Sequence, residues 1–146
     1  MKLKGRTAAI TGGTAGIGRG IAEAFLAEGA NVSLFARNAE KGGEVVAEMG
    51  VGERALFVAG DVMVQEQVEG FVDRTVEHFG AIDILVNNAG GAGDLAPLVD
   101  LTDEAFDMAM KWNIYSSFWA TRRALKRAPV VNRLWPGITL RLRRPP

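Results

Sequence analysis

Residues 11–18 read Thr-Gly-Gly-Thr-Ala-Gly-Ile-Gly and stand between an apolar run and a stretch with helical periodicity. The apolar run, Thr7–Thr11, is typical of a buried parallel strand. Gly12 permits a sharp turn out of that strand, Gly16 lets backbone approach a pyrophosphate, and Gly18 lets the following helix lie close to the sheet. The pattern predicts a phosphate-binding turn at a helix N-terminus, with a ligand-free glycine turn as the alternative.

Strand and helix patterns alternate along the chain as far as residue 126. The predicted strands are Thr7–Thr11, Asn31–Ala36, Ala55–Ala59 and Ile82–Val86, and the predicted helices cover about Ile17–Leu26, Ala39–Met49, Val68–Phe79 and Asp103–Lys126. Alternation of this kind is typical of a parallel sheet covered on both faces. We therefore predict a doubly wound, Rossmann-like α/β fold with about four strands.

The charged residues are unevenly distributed along the sequence. The net charge is zero, yet all 17 acidic residues lie at or before Asp107, and from Met108 onward there are nine basic residues and no acidic one. Four of the five prolines fall after residue 128. This break predicts a boundary near residue 126, between a domain at 1–126 and a basic, Pro/Arg-rich irregular tail at 127–146.

Composition excludes several classes of protein and site. The 146 residues are 48% hydrophobic and include no cysteine, which excludes disulfide scaffolds and thiolate zinc sites. We expect no metal site, and His78, the single histidine, is given no role. No apolar run is long enough to cross a bilayer, and the N-terminus does not resemble a signal peptide, so a cytoplasmic protein is expected.

Four motifs resemble those of the short-chain dehydrogenase/reductase family. They are the Thr-Gly-x-x-x-Gly-Ile-Gly loop at 11–18, Asp61-Val62 after the third strand, Asn-Asn-Ala-Gly at 87–90 after the fourth strand, and Asn113 within the last helix. The resemblance implies a nicotinamide dinucleotide cofactor. It also implies that 1–126 is an incomplete dinucleotide-binding domain, the N-terminal half of the family's fold. It assigns cofactor binding to Gly12, Thr14, Gly16, Ile17, Gly18, Asp61, Val62, Asn88, Ala89 and Gly90, and it places Asn113 in the catalytic group, where it would help hold a water. Capping of a strand-end turn is the alternative for the asparagines at 87 and 88.

The choice of cofactor depends on the end of the second strand. NAD sites usually place a carboxylate there to accept a hydrogen bond from the ribose 2′-OH. The stretch Phe35-Ala36-Arg37-Asn38 contains none, and Arg37 offers a guanidinium suited to a 2′-phosphate. This favours NADP as cofactor, with NAD and a solvated loop arginine as the alternative.

The family's reaction requires a tyrosine, a lysine and a serine at set positions, and this sequence does not have them there. The resemblance implies hydride transfer between NADP(H) and a ketone or secondary alcohol, with a tyrosine as general acid or base and a lysine four residues later. Tyr115 is the single tyrosine, and Trp119 lies four residues beyond it. Ser116 and Ser117 are likewise misplaced for the family's substrate-binding serine. We expect a very weak or inactive oxidoreductase, with a non-catalytic dinucleotide-binding module as the alternative.

The remaining expectations concern the end of the chain. We hypothesise that the tail from about Arg127 is an out-of-frame or otherwise foreign terminus, which would leave the fourth strand as an open edge. The apolar residues of the last helix leave two alternatives, exposure or assembly into a homo-oligomer. A third hypothesis, binding of nucleic acid or membrane by the basic tail, is disfavoured because the tail has no interleaved aromatic residue beyond Trp135 and no amphipathic periodicity.

Overall fold

A computed structural model describes residues 1–93, 95–127 and 139–141. The strands are β1 (Thr7–Thr11), β2 (Asn31–Ala36), β3 (Ala55–Ala59), β4 (Ile84–Asn87) and β5 (Thr139–Arg141). The helices are α1 (Gly16–Ala27), α2 (Ala39–Met49), α3 (Gln65–Phe79), α4 (Asp103–Met110) and α5 (Ser116–Arg127), with short 3₁₀ turns at Gly52–Arg54 and Leu98–Asp100. A π-helical turn, Lys111–Tyr115, joins α4 to α5.

The five strands form one sheet in the order β3-β2-β1-β4-β5. Strands β1 to β4 are parallel, and Thr11 at the end of β1 lies opposite Phe35 of β2 on one side and Asn87 of β4 on the other. The chain therefore winds outward from β1 to β3 and then crosses back to the other side of β1. This confirms the doubly wound, Rossmann-like α/β fold and its four parallel strands.

Two apolar layers cover the sheet because successive strand residues point to opposite faces. Ala8 and Ile10 of β1 pack with buried residues of α1 and α2, whereas Ala9 packs with buried residues of α3 and α5. The side chains of these strand residues are fully buried. Burial of both faces explains why the strands are near-continuous apolar runs without polar alternation.

Several helix ends match their sequence signals. Thr102 caps α4 by accepting a hydrogen bond from the backbone N–H of Ala105, a role that threonine favours at this position. Gly50 and Gly80 follow α2 and α3 in the left-handed conformation, with φ of 61° and 83°. Within the part of the chain that the structure describes, no helix combines the length and apolarity needed to cross a membrane.

Some of the basic residues that follow Met108 form ion pairs between α5 and α3. Arg122 contacts Glu69 at 3.2 Å, and Arg127 contacts Asp73 at 3.1 Å. Arg123 binds both carboxylate oxygens of Asp73. The basic part of the sequence therefore begins within the folded part of the chain, where its side chains attach one helix to another.

The structure corrects three details of the sequence prediction. The predicted helix Asp103–Lys126 contains the π-helical turn and ends at Arg127. The expected open edge of β4 is wrong over Ile84–Val86, which pair antiparallel with Thr139–Arg141. The predicted irregular tail thus contains a short strand, because backbone groups can complete a ladder whatever the side-chain pattern. The rest of that tail, 128–138 and 142–146, lies outside the described residues.

Candidate functional site

The predicted site residues gather at one edge of the sheet, where β1 and β4 end. These neighbouring strands are connected in the chain to opposite halves of the sheet, so the gap between their carboxyl ends is a topological switch point. Ligands of open α/β sheets bind in the crevice at such a point. The glycine turn follows β1, and residues 88–91 follow β4, so both border this crevice.

Three of the four glycines at 11–18 differ in their surroundings. Gly12 and Gly16 have positive φ angles, 68° and 52°, which disfavour other residues. A Cβ atom at Gly18 would overlap the carbonyl oxygen of Gly12, so this glycine permits close packing of α1 against the turn. A Cβ atom at Gly16 would meet nothing within 4 Å, which places Gly16 on the open side.

The N-terminus of α1 fits an anionic group. Its cap residue is Ala15, and among the described residues no side chain caps the helix and no acidic residue lies in its first turn. Ala15, Gly16 and Ile17 are exposed, Ile17 to 77%. Backbone N–H groups at such a terminus, together with the helix dipole, favour phosphate oxygens. The residues present therefore fit the pyrophosphate of a dinucleotide. Thr14, in the same turn, is buried.

Asn88 and Thr11 join the two sides of the crevice. The Nδ2 atom of Asn88 donates to the carbonyl oxygens of Thr11 and Gly12 at 3.1 and 3.2 Å. In return, the hydroxyl of Thr11 accepts hydrogen bonds from the backbone N–H groups of Asn88 and Ala89, both at 3.1 Å. Sequence reasoning omitted Thr11 from the site, although a polar residue ending an apolar strand was a usable signal.

Asn113 reaches the same loop from the helical side. Its Nδ2 donates to the carbonyl oxygen of Gly91 at 2.8 Å, and its Oδ1 accepts from the N–H of Gly91 at 3.2 Å. The same Nδ2 also donates to the carbonyl of Ala109 at 2.9 Å. A Cβ atom at Gly90 would overlap Oδ1 of Asn113, so the glycine permits this close approach. Asn113 thereby fixes the loop that follows β4.

Two cations near the edge differ in their contacts. Arg19 of α1 contacts Glu23 at 2.8 Å and Glu48 of α2 at 3.0 Å. Hydrogen bonds to these two carboxylates raise the pKa of Arg19 above its usual value. Arg37 follows β2 directly and is exposed, and among the described residues it has no ion-pair partner. Arg37 is therefore the cation available to a ligand here.

Asp61 and Val62, which follow β3, differ in how they lie relative to the crevice. Asp61 accepts a hydrogen bond from the N–H of Met63 at 2.9 Å, and its own N–H donates to Oε1 of Gln67 at 2.7 Å. Val62 is 8% exposed and belongs to the core between the sheet and α3. The turn thus brings the backbone of residues 61–62 to the edge, whereas the Val62 side chain points into the protein.

The aromatic residue that could have served as an acid or base lies on the helical segment. Tyr115 is 50% exposed, and its ring centroid is 6.0 Å from that of Trp119. The position four residues beyond Tyr115, one helical turn away, therefore carries an indole where a lysine would be needed to lower the pKa of a phenol. The geometry supports cofactor placement more directly than proton transfer.

Comparison with known proteins identifies the family. Residues 6–130 match the family model described as short chain dehydrogenase. The chain belongs to this family. The match confirms the resemblance carried by the glycine loop and the 87–90 motif, and this family of oxidoreductases binds nicotinamide dinucleotides.

Individual relatives agree with this assignment. The 3beta-hydroxysteroid dehydrogenase 2 of Eggerthella lenta is 39% identical over 125 residues, which cover 85% of this chain and 48% of the relative. A solved structure from Brucella melitensis, described as a short-chain dehydrogenase/reductase (glucose/ribitol dehydrogenase), has a TM-score of 0.82 and 32% identity, covering 87% of this chain and 53% of that one. The C-domain of a bacterial malonyl-CoA reductase with NADP has a TM-score of 0.81 and 33% identity, covering 84% and 20% respectively. The chain spans about half the length of the curated relatives it matches.

Proposed function

We propose that this chain binds NADP(H) in the crevice between β1 and β4, as the cofactor-binding part of an oxidoreductase that transfers hydride between NADP(H) and a ketone or secondary alcohol. One observation carries the proposal: Asn88 fixes the glycine turn while the N-terminus of α1, next to it, stays exposed and uncapped among the described residues. In this proposal the turn binds the pyrophosphate through Gly12, Thr14, Gly16, Ile17 and Gly18. Asp61 and Val62 lie by the adenine, and Asn88, Ala89 and Gly90 border the opposite side.

The proposal names NADP because of Arg37. An exposed guanidinium just beyond β2 can donate several hydrogen bonds to a 2′-phosphate. The stretch 35–38 has no carboxylate to bind a free 2′-hydroxyl. The NADP present in the malonyl-CoA reductase domain, which is 33% identical to this chain, also supports the choice.

We further propose that this chain holds the cofactor but turns it over poorly. Acid–base catalysis by a tyrosine at neutral pH needs a group that favours the phenolate, and Trp119, four residues beyond Tyr115, cannot act in that way. Loss of a positioned acid–base group typically costs about 10²–10⁴-fold in rate. The side-chain amide of Asn113 is engaged by Gly91 and Ala109, which favours a role in holding the loop over the water-holding role that the resemblance implied.

An assay of NADPH oxidation with a panel of ketones tests this function. The 3beta-hydroxysteroid dehydrogenase 2 of Eggerthella lenta serves as the positive control. We expect saturable NADPH binding by this chain together with turnover at least about a hundredfold below the control. Turnover comparable with that of the control would contradict the proposed lack of acid–base chemistry, and would favour a fully active reductase.

A second copy of the chain is the partner we propose for the exposed side of the α4–α5 segment. Phe106, Ile114 and Phe118 are each more than half exposed there. The acidic residues of this segment lie in α4 and its basic residues lie from Lys111 onward, so two antiparallel copies would place opposite charges together. Sedimentation of wild type and Phe118→Ser tests this, since a monomer at all concentrations would exclude it.

A further inference from the structure

We propose that Ser116 is a positioning residue. Its hydroxyl stabilises the π-helical turn and thereby maintains the hydrogen bonds between Asn113 and Gly91. Ser116 lies outside the four motifs that carried the family resemblance. The link from Gly91 to cofactor binding rests on the proposed function, whereas the link from Ser116 to Gly91 does not.

The hydrogen bonds of Ser116 show how the turn is maintained. In a regular α-helix its N–H would donate to the carbonyl four residues earlier, that of Trp112. Here the N–H donates to Lys111, five residues earlier, and the hydroxyl of Ser116 donates to Trp112 at 2.6 Å. The hydroxyl of Ser116 thus donates to the Trp112 carbonyl, which would accept the backbone N–H of Ser116 in a regular α-helix. This matters because Ser116 is only 5% exposed and Trp112 is half-buried, so a carbonyl left unpaired between them is costly.

The two helices that flank the π-helical turn differ in how firmly they are held in the core. Ala120 and Ala124 anchor α5 in the core, both almost completely buried, whereas α4 has no buried residue. Returning the N–H of Ser116 to Trp112 would remove the extra residue from the turn. Each residue of an α-helix accounts for roughly 100° of rotation. Relaxation would therefore rotate Asn113 and α4 about the helix axis while α5 stayed in place.

The loop after β4 depends on the orientation of this turn. Asn113 makes two hydrogen bonds to the backbone of Gly91, and the ring of Trp112 packs so closely on Gly91 that a Cβ atom there would lie 2.6 Å from it. Both contacting side chains come from the π-helical turn. A rotated turn would withdraw both and release the loop that includes Ala89 and Gly90.

Hydrogen exchange at the Gly91 amide, followed by NMR, tests the proposal without any ligand. That N–H donates to Oδ1 of Asn113, so in Ser116→Ala we expect its exchange to accelerate about tenfold, as for loss of one hydrogen bond. Ser116→Thr keeps a hydroxyl and should restore slow exchange. Ser117→Ala is the matched control. The hydroxyl of Ser117 also donates to the carbonyl four residues earlier, at 3.0 Å, but that carbonyl belongs to Asn113 and not to Lys111 or Trp112. Unchanged Gly91 exchange in Ser116→Ala, or equal acceleration in Ser117→Ala, would overturn the proposal.

NADPH titration of the same variants separates this inference from the proposed function. Faster Gly91 exchange with about tenfold weaker NADPH binding in Ser116→Ala would support both. Faster exchange with unchanged NADPH binding would support the positioning role of Ser116 and contradict the placement of the cofactor beside this loop. If Ser116→Ala does not fold, Ser116→Cys carries the same expectation for Gly91, because a thiol is a weaker donor than a hydroxyl.

Discussion

The Nδ2 atom of Asn88 lies 3.2 Å from the carbonyl oxygen of Gly12, and this hydrogen bond ties the end of β4 to the turn that follows β1. The two residues are 76 positions apart in the sequence. Gly18 packs against the same carbonyl, so strand end, turn and helix α1 meet at one point. The shape of the glycine turn is therefore set by tertiary contacts as well as by its own sequence.

Removing the amide of Asn88 should loosen this junction. Asn88→Ala leaves the carbonyls of Thr11 and Gly12 without their side-chain donor and should cost about 1–3 kcal/mol of unfolding free energy. Asn88→Asp, of nearly equal size, should cost more, because its carboxylate would face two carbonyl oxygens. Urea unfolding of both variants measures this. An aspartate variant as stable as the wild type would show that the amide donor is dispensable.

The glycines of α1 offer a matched pair. Gly18→Ala should lower the unfolding free energy by about 1–3 kcal/mol, because its Cβ would overlap the carbonyl of Gly12. Gly20→Ala lies in the same helix with open space around the added Cβ, and should raise it by up to about 1 kcal/mol through helix propensity. Thermal or urea unfolding of the two proteins, side by side, gives the comparison. Equal effects would contradict the packing role of Gly18.

Arg37 should control which dinucleotide is preferred. Arg37→Ala should weaken NADPH binding about tenfold or more, the usual effect of losing a charge-assisted hydrogen bond. NADH affinity should stay nearly constant, since NADH lacks the 2′-phosphate. Arg74→Ala, an exposed arginine of α3, is the control and should alter neither affinity. Equal weakening of both dinucleotides by Arg37→Ala would exclude a 2′-phosphate contact.

Acid should weaken the contact between α3 and α5. A hydrogen bond from Gln65, followed by the interaction with Arg122, lowers the pKa of Glu69 below its usual value of 4.5. Because this pKa is lower in the folded than in the unfolded protein, the stabilisation is complete above 4.5 and is lost as the pH falls through the folded value. Glu69→Gln should therefore flatten the acid limb of unfolding free energy against pH, and Gln65→Met should flatten it partly. Identical acid limbs in all three proteins would disprove this linkage.

Much of the fold could be predicted because strand and helix patterns follow directly from burial. The bounds of β1, β2 and β3 match their apolar runs, because β1 is buried throughout and the side chains of β2 and β3 are mostly buried or half-buried. Two features could not be predicted in this way. The π-helical turn depends on whether the N–H of Ser116 bonds to Lys111 or Trp112, a choice that no sequence motif specifies. The pairing of β5 with β4 is a backbone ladder, which a side-chain pattern does not signal.

The candidate site was predictable to a similar degree. The motifs placed the glycine turn and residues 87–90 at one sheet edge, because parallel strands end on the same side. The hydrogen bonds that Thr11 and Asn88 make across the crevice depend on the register of β1 and β4, which a local motif does not specify. Burial of Val62 was missed for the same reason, since it belongs to a core cluster whose members come from several strands and helices.

Titration of the full chain with NADPH, repeated with NADH, tests the central claim most directly. Quenching of protein fluorescence or calorimetry can measure both dissociation constants at equal ionic strength. We expect one saturable site per chain and NADPH binding about tenfold or more tighter than NADH. Absence of saturable binding by either dinucleotide would contradict the proposed cofactor site, and tighter binding of NADH would contradict the role given to Arg37.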